Sequence, residues 1–205
     1  MSLLVLSIPA NAQEYRSGWD IIESGTPEDL YSVESQGNEI WAFGKNGTMI
    51  MSLDGGLTWE VGESQTSSDL TISSSGYGSF LTASSDGTIL VKSTNDSTWS
   101  DITFDFGNEL IHGACLTGVS EFVIVGGNGT IWTYEMQEWT NRSVSGLDLL
   151  DVSFLDSERG IAVGEQGTIL FSDDGGETWD YRDAPTEASS SRTVSYTHLR
   201  AHETG

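Results

Sequence analysis

The sequence predicts an all-β protein made of four tandem four-stranded units, and three regularities carry that prediction. Five of the seven tryptophans, Trp19, Trp59, Trp99, Trp139 and Trp179, stand 40 residues apart, and Leu30, Leu70, Leu110 and Leu150 repeat the interval. The octapeptide Ser52-Leu53-Asp54-Gly55-Gly56-Leu57-Thr58-Trp59 returns three periods later as Ser172-Asp173-Asp174-Gly175-Gly176-Glu177-Thr178-Trp179. Each unit also carries a turn dipeptide ahead of Thr and apolar residues: Asn46-Gly47, Asp86-Gly87, Asn128-Gly129 and Gln166-Gly167. A fixed period of this length marks a repeat array, one supersecondary element per unit.

Within the first full unit, Leu30-Tyr31-Ser32-Val33 and Ile40-Trp41-Ala42-Phe43 alternate and are rich in aromatic and β-branched residues, as strands are. Asn46-Gly47 then closes a hairpin into Thr48-Met49-Ile50-Met51, because a type I′ turn needs positive φ at both central residues and Asn and Gly tolerate it. The matching third strands are built on Ile89-Leu90, Ile131-Trp132 and Ile169-Leu170. The octapeptide links the third strand to a fourth. Its pattern assigns Asp to accepting backbone N–H groups of its own turn, Gly to positive φ, and Trp to covering the turn with an apolar ring. This makes Ser52, Asp54, Gly56 and Trp59, with Ser172, Asp174, Gly176 and Trp179, a structural clip and not an active site. In the second unit Lys92, Thr94 and Asp96 replace the Ser, Asp and Gly, and only Trp99 survives. The third unit shortens the span from Thr130 to Trp139 by two residues and lengthens that from Leu110 to Gly129 by two, so the period is restored.

The octapeptide resembles the Asp-box of sialidase-type β-propellers, and Gly160 to Trp179 is similar to the repeat of the photosystem II assembly and stability factor family, a resemblance covering about residues 14–185. It implies a seven-bladed propeller of which four blades are present as a partial ring. It also implies an exported, non-enzymatic protein that docks an assembling membrane complex through an arginine-rich surface. Here Arg142, Arg159 and Arg182, with Lys45 and Lys92, are instead spread through the core units. The expected function is a non-catalytic exported platform for a protein partner or an envelope or membrane complex. The alternative is a carbohydrate-binding or glycosidase/sialidase-type propeller.

Composition narrows the partners. A net charge of -23 on 205 residues would be repelled by phosphate backbones, so nucleic acid is not expected, and no apolar run is long enough for a membrane-spanning helix. The single Cys115 excludes an internal disulfide framework and lies in an apolar run that predicts a small buried side chain. Leu3 to Ile8, followed by Pro9 and Ala10-Asn11-Ala12, has the shape of a signal peptide over residues 1–12, though without a basic n-region; the alternative is an N-terminal strand. A periplasmic, extracellular or cell-surface location is the expectation that follows. Gly18-Trp19-Asp20-Ile21-Ile22 reads as an orphan fourth strand that would complete a closing blade. The partial propeller is expected over residues 13–185, and 186–193 is a linker or the start of another blade. Val194 to Thr204 resembles the translation of a sequencing adapter, so 194–205 is expected to be an artefactual tail and its His198 and His202 are not read as a metal pair.

No catalytic set converges in the sequence. A sialidase needs clustered arginines, a Tyr nucleophile with a carboxylate partner and an acid, and the Arg-Ile-Pro signature does not occur. No Gly-rich loop precedes a helix, and no cofactor or metal is expected. Asn46-Gly47-Thr48 and Asn128-Gly129-Thr130 match glycosylation sequons, but the turns account for them. One polar pattern follows the period: Asp29, Asp69 and Glu109 each precede the repeating Leu, while at Leu149 the series is broken with Asp148 and Asp151 on either side. These carboxylates are a candidate binding rim for a divalent cation or a basic partner; the plainer reading is that they keep an acidic protein soluble.

Overall fold

The computed structural model describes residues 21–107, 109–144 and 146–182. They form four separate antiparallel sheets of four strands, each in simple sequential order. Blade 1 holds β1 (Leu30–Gln36), β2 (Glu39–Gly44), β3 (Met49–Ser52) and β4 (Glu60–Val61), and blade 2 holds β5 (Ile72–Gly76), β6 (Ser79–Ala83), β7 (Ile89–Ser93) and β8 (Ser100–Asp101). Blade 3 holds β9 (Ile111–Gly118), β10 (Glu121–Gly126), β11 (Ile131–Glu135) and β12 (Glu138–Asn141), and blade 4 holds β13 (Leu149–Phe154), β14 (Gly160–Gly164), β15 (Ile169–Ser172) and β16 (Asp180–Tyr181). The expected signal peptide, the residues Gly18 to Asp20 and the expected segments from residue 183 onward lie outside the described residues. Ile21 and Ile22, assigned from the sequence to an orphan strand, pair with no strand among the described residues and are exposed.

The β2–β3 hairpin turns as expected. Asn46 sits at φ 53, ψ 35 with Gly47 at φ 72, and Thr48 N–H donates to Lys45 O at 2.9 Å, which is a type I′ turn. Asn128-Gly129 and Gln166-Gly167 repeat it. Asp86-Gly87 does not. Only Gly87 has positive φ there, and Gly87 N–H donates to Ser84 O at 3.3 Å. The Asp86 carboxylate is held instead by the hydroxyls of Ser84, Ser68 and Thr88. A side chain recruited by neighbouring hydroxyls leaves Asp86 no reason to adopt the left-handed region.

Successive blades are joined by apolar packing and by a repeated polar link. Trp41, Phe43 and Met49 of blade 1 meet Leu70, Phe80, Leu90 and Trp99 of blade 2. Trp99 is edge-on to Trp41 at 5.1 Å and to Phe43 at 5.6 Å, an arrangement aromatic quadrupoles favour. Ile72, Leu81 and Ile89 of blade 2 meet Ile111, Phe122 and Ile124 of blade 3, and Val123, Val125 and Ile131 of blade 3 meet Leu149, Val152 and Leu170 of blade 4. Half-buried Phe104, Phe106, Trp132, Tyr134 and Trp139 extend the second joint as an aromatic cluster with ring spacings near 5 Å.

The leucine grid slips in the third and fourth units. The buried positions at the start of the innermost strands are Leu70, Ile111 and Leu149, while Leu110 is 54% exposed and Leu150 only half-buried. Strand side chains alternate between faces, so burial fixes the register to the residue. The two extra residues of the third unit move the apolar contact from Leu110 to Ile111.

Candidate functional site

Both Asp-boxes are built alike. In blade 1 the Ser52 hydroxyl donates to Asp54 Oδ1 at 2.8 Å and accepts Gly56 N–H at 2.8 Å. Asp54 accepts the N–H groups of Leu57 and Thr58 at 3.0 and 2.9 Å and the Thr58 hydroxyl at 2.6 Å. Trp59 closes the turn by donating its indole N–H to Gly56 O at 3.2 Å. Blade 4 repeats these contacts through Ser172, Asp174, Gly176, Thr178 and Trp179. Each box docks on the preceding hairpin of its own blade, Gly55 N–H on Asn38 O and Gly175 N–H on Glu158 O. The two carboxylates therefore face their own turns and share no cleft. In blade 2 Lys92 takes the serine position and bridges to blade 1 through Glu39 at 3.0 Å; Glu39 also accepts the Trp41 indole N–H at 2.8 Å.

The Thr58 hydroxyl, with the Thr58 N–H and the Ser52 hydroxyl, holds Asp54 at about 2. In Asp174 burial opposes ionisation, but donation from Thr178 and Ser172 outweighs it and the pKa is lowered. The Ser84 hydroxyl, against some burial, holds Asp86 at about 2, and Arg159 does the same to Asp156. A depressed carboxylate stabilises the fold above its unfolded pKa, and that contribution is lost as pH falls through the folded value. Thermal unfolding between pH 4 and pH 2 should therefore show a falling midpoint, with a shallower fall in Asp54→Asn. Equal slopes for the two proteins would remove Asp54 from this account.

The innermost strands β1, β5, β9 and β13 line a central channel of about 750 Å³. Its wall is rich in hydroxyls: Ser73 and Ser75 donate to the buried Glu34 carboxylate at 3.1 and 2.7 Å, and Ser74 accepts Leu116 N–H at 3.1 Å. Sequence reading passed over Glu34, although the run Ser73-Ser74-Ser75 opposite it was a visible signal. His112 also lines the channel, with Nδ1 buried and unpartnered among the described residues. Cys115 is part-buried on β9, and burial pushes its thiol pKa up, which keeps it protonated and unsuited to nucleophilic chemistry.

The structure divides the rim carboxylates into two kinds. Asp69 accepts Asn46 N–H at 2.9 Å and Asp148 accepts Asn128 N–H at 2.7 Å, each tying the turn of the blade before it. Asp148, not Leu149, is thus the fourth member of the series; in blade 3 the position falls on Leu110, whose carbonyl accepts Gly127 N–H at 2.9 Å. Asp29 carries no such link among the described residues, and Glu109 lies beside Gly127. With Glu28 and Glu165 these groups crowd the end of the blades that bears the β2–β3 turns. The five described Lys and Arg residues do not converge: Lys92 and Arg159 are ion-paired, Arg182 lies 4.9 Å over Phe171, Arg142 is half-buried, and only Lys45 stands at the acidic end. Among the described residues no helix is long and apolar enough to cross a membrane, and no group of three or more His, Cys, Asp or Glu could hold a metal ion.

Residues 131–204 match the family described as photosynthesis system II assembly factor YCF48. Among solved structures, YCF48 bound to D1 peptide superposes with a TM-score of 0.62 at 18% identity, over 81% of this chain and 57% of that one. YCF48 from Cyanidioschyzon merolae gives 0.59 at 16% identity, over 79% and 61%. The computationally designed Ika4 protein gives 0.59 at 15% identity, over 75% of this chain and 97% of that one. The chain thus spans 57–61% of the two YCF48 structures it matches. No curated protein matches it.

Proposed function

We propose that this chain, a BNR-type β-propeller protein similar to photosystem II assembly factors, is an exported, non-catalytic platform that docks a basic segment of a protein partner. The observation that carries the reading is the acidic end of the blades, where Glu28, Asp29, Asp69, Glu109, Asp148 and Glu165 gather around the entrances of the innermost strands with Lys45 as the single described cation. A field of one sign steers and orders a partner of the other. The solved YCF48 neighbour bound to D1 peptide supports a peptide or protein ligand. The apolar run and small-residue site at residues 1–12 support export.

The test is titration of a lysine- and arginine-rich peptide, labelled for fluorescence anisotropy, across a salt series. Binding that weakens roughly tenfold or more between about 0.05 and 0.5 M salt, with no binding of an acidic peptide of equal length, is expected for a screened acidic surface. Equal affinity for both peptides, or none for the basic one, would refute it.

A further inference from the structure

We propose that Asn46 and Asn128 are sites of spontaneous deamidation, gated by the joints between blades 1 and 2 and between blades 3 and 4, and that the reaction loosens those joints irreversibly. Both side chains are exposed, and each precedes a glycine, whose backbone nitrogen no side chain shields. The chemistry is intramolecular, so nucleophile and electrophile are held together by the chain itself. The Gly47 nitrogen attacks Asn46 Cγ, the new N–C bond displaces Nδ2 as ammonia carrying the glycine N–H proton, and water then opens the five-membered imide to aspartate or isoaspartate. Gly129 and Asn128 stand in the same relation. The other turns lack one requirement each. Gln166, at the matching φ 53 and ψ 27, has one methylene more and would have to close a six-membered ring, which forms far more slowly. Asp86 already carries a carboxylate, a poor electrophile, and three hydroxyls hold it. Asn38, Asn95 and Asn141 precede Glu39, Asp96 and Arg142, whose side chains obstruct the attacking nitrogen.

The folded turns hold the reaction back. With ψ at 35 in Asn46 and 34 in Asn128, the glycine nitrogen stands nearly anti to the asparagine Cβ across the Cα–C bond, whereas imide closure needs the two nearly eclipsed. Ring closure therefore waits for the turn to open. The following blade keeps it shut: Asn46 N–H donates to Asp69 at 2.9 Å, and Asn128 N–H donates to Asp148 at 2.7 Å. The glycines are wedged as well, since a Cβ at Gly47 would collide with Thr66 O and one at Gly129 with Val144 O. The same tightness makes the products disruptive. Isoaspartate adds a main-chain methylene to a two-residue turn that has no room for it, so the turn cannot reclose and its N–H leaves Asp69 or Asp148. Aspartate at position 46 puts a carboxylate where Asn46 Nδ2 now donates to Glu28 at 3.3 Å, and attraction becomes like-charge repulsion.

Peptide mapping by mass spectrometry of the full 205-residue chain, incubated at mildly alkaline pH, reads this directly. Aspartate and isoaspartate should accumulate at positions 46 and 128, faster in urea than in the folded chain, while Gln166 stays intact. Asp69→Ala should speed conversion at Asn46 about fivefold or more and leave Asn128 unchanged, because losing the acceptor raises the population of the opened turn. Asp148→Ala should do the reverse, with circular dichroism reporting retained strand content in both variants. The aged chain should unfold at lower urea concentration than the fresh one. Asn46→Gln with Asn128→Gln, a residue that the same turn of blade 4 already accommodates, should fold normally and resist both conversion and ageing. No conversion at either asparagine, equal rates in folded and urea-unfolded chain, acceleration of both sites by either aspartate variant, or an aged chain as stable as the fresh one would overturn the proposal.

Discussion

Gly129→Ala is expected to lower the free energy of unfolding by about 3 kcal/mol or more, the sum of a strained left-handed backbone and overpacking against a wall that cannot yield. Gly129 has φ +73, and a Cβ there would stand 2.1 Å from the carbonyl oxygen of Val144. That oxygen cannot retreat, because it belongs to the strand return whose Val144 N–H donates to Gly129 O at 3.0 Å. The same turn delivers Asn128 N–H to Asp148, so the damage reaches the joint with blade 4. Gly55→Ala is the control: its φ is +76 but nothing lies within 4 Å of the added methyl, so only the backbone strain of about 1–2 kcal/mol remains. Urea unfolding of the two variants should separate these contributions, and equal losses would show that the close approach at Val144 is not rigid.

Removing the Asp-box tryptophans should have graded effects. Trp179→Ala is expected to cost about 3–5 kcal/mol, as deletion of a buried aromatic does. The ring is 9% exposed, stands edge-on to Phe154 at 5.9 Å, and donates its N–H to Gly176 O at 3.0 Å. Trp99→Ala should fall in the same range, because Trp99 is 7% exposed against Trp41 and Phe43 although the rest of its box is absent. Trp59→Ala should cost clearly less, since the same ring at the open face of blade 1 is only half-buried. Equal costs at residues 59 and 179 would mean that the ring acts through its own turn and not through the joint.

The strand order was legible because burial of one face per blade imposes the 40-residue period on the sequence, and the octapeptides announce their turns through residues with few other uses. Asn46-Gly47 was equally plain, since positive φ at two successive positions narrows the choice of residue. Asp86-Gly87 was misjudged because its carboxylate is captured by Ser84 and Ser68, and Ser68 is distant in the sequence. The rim was half legible. The leucine spacing gave Asp29 and Asp69 but put Glu109 in the series where the structure has Leu110, and it left Asp148 only as a neighbour of the break at Leu149, because the two-residue redistribution in the third unit shows itself only in strand register. Glu34 was not legible as a buried group, because its burial depends on serines of the next blade, about 40 residues away.

The division of labour between clip and rim is the centre of this account, and one comparison tests it most directly: affinity for the basic peptide, measured beside the melting temperature, in two variants. Asp54→Asn with Asp174→Asn alters the boxes, whereas Glu28→Gln with Glu109→Gln and Glu165→Gln neutralises the turn-bearing end without touching the carboxylates that tie the blades. The box variant should melt lower and bind with an unchanged Kd; the rim variant should keep its melting temperature and bind at least tenfold more weakly. A box variant that loses binding while the rim variant retains it would contradict the assignment and place recognition at the Asp-boxes.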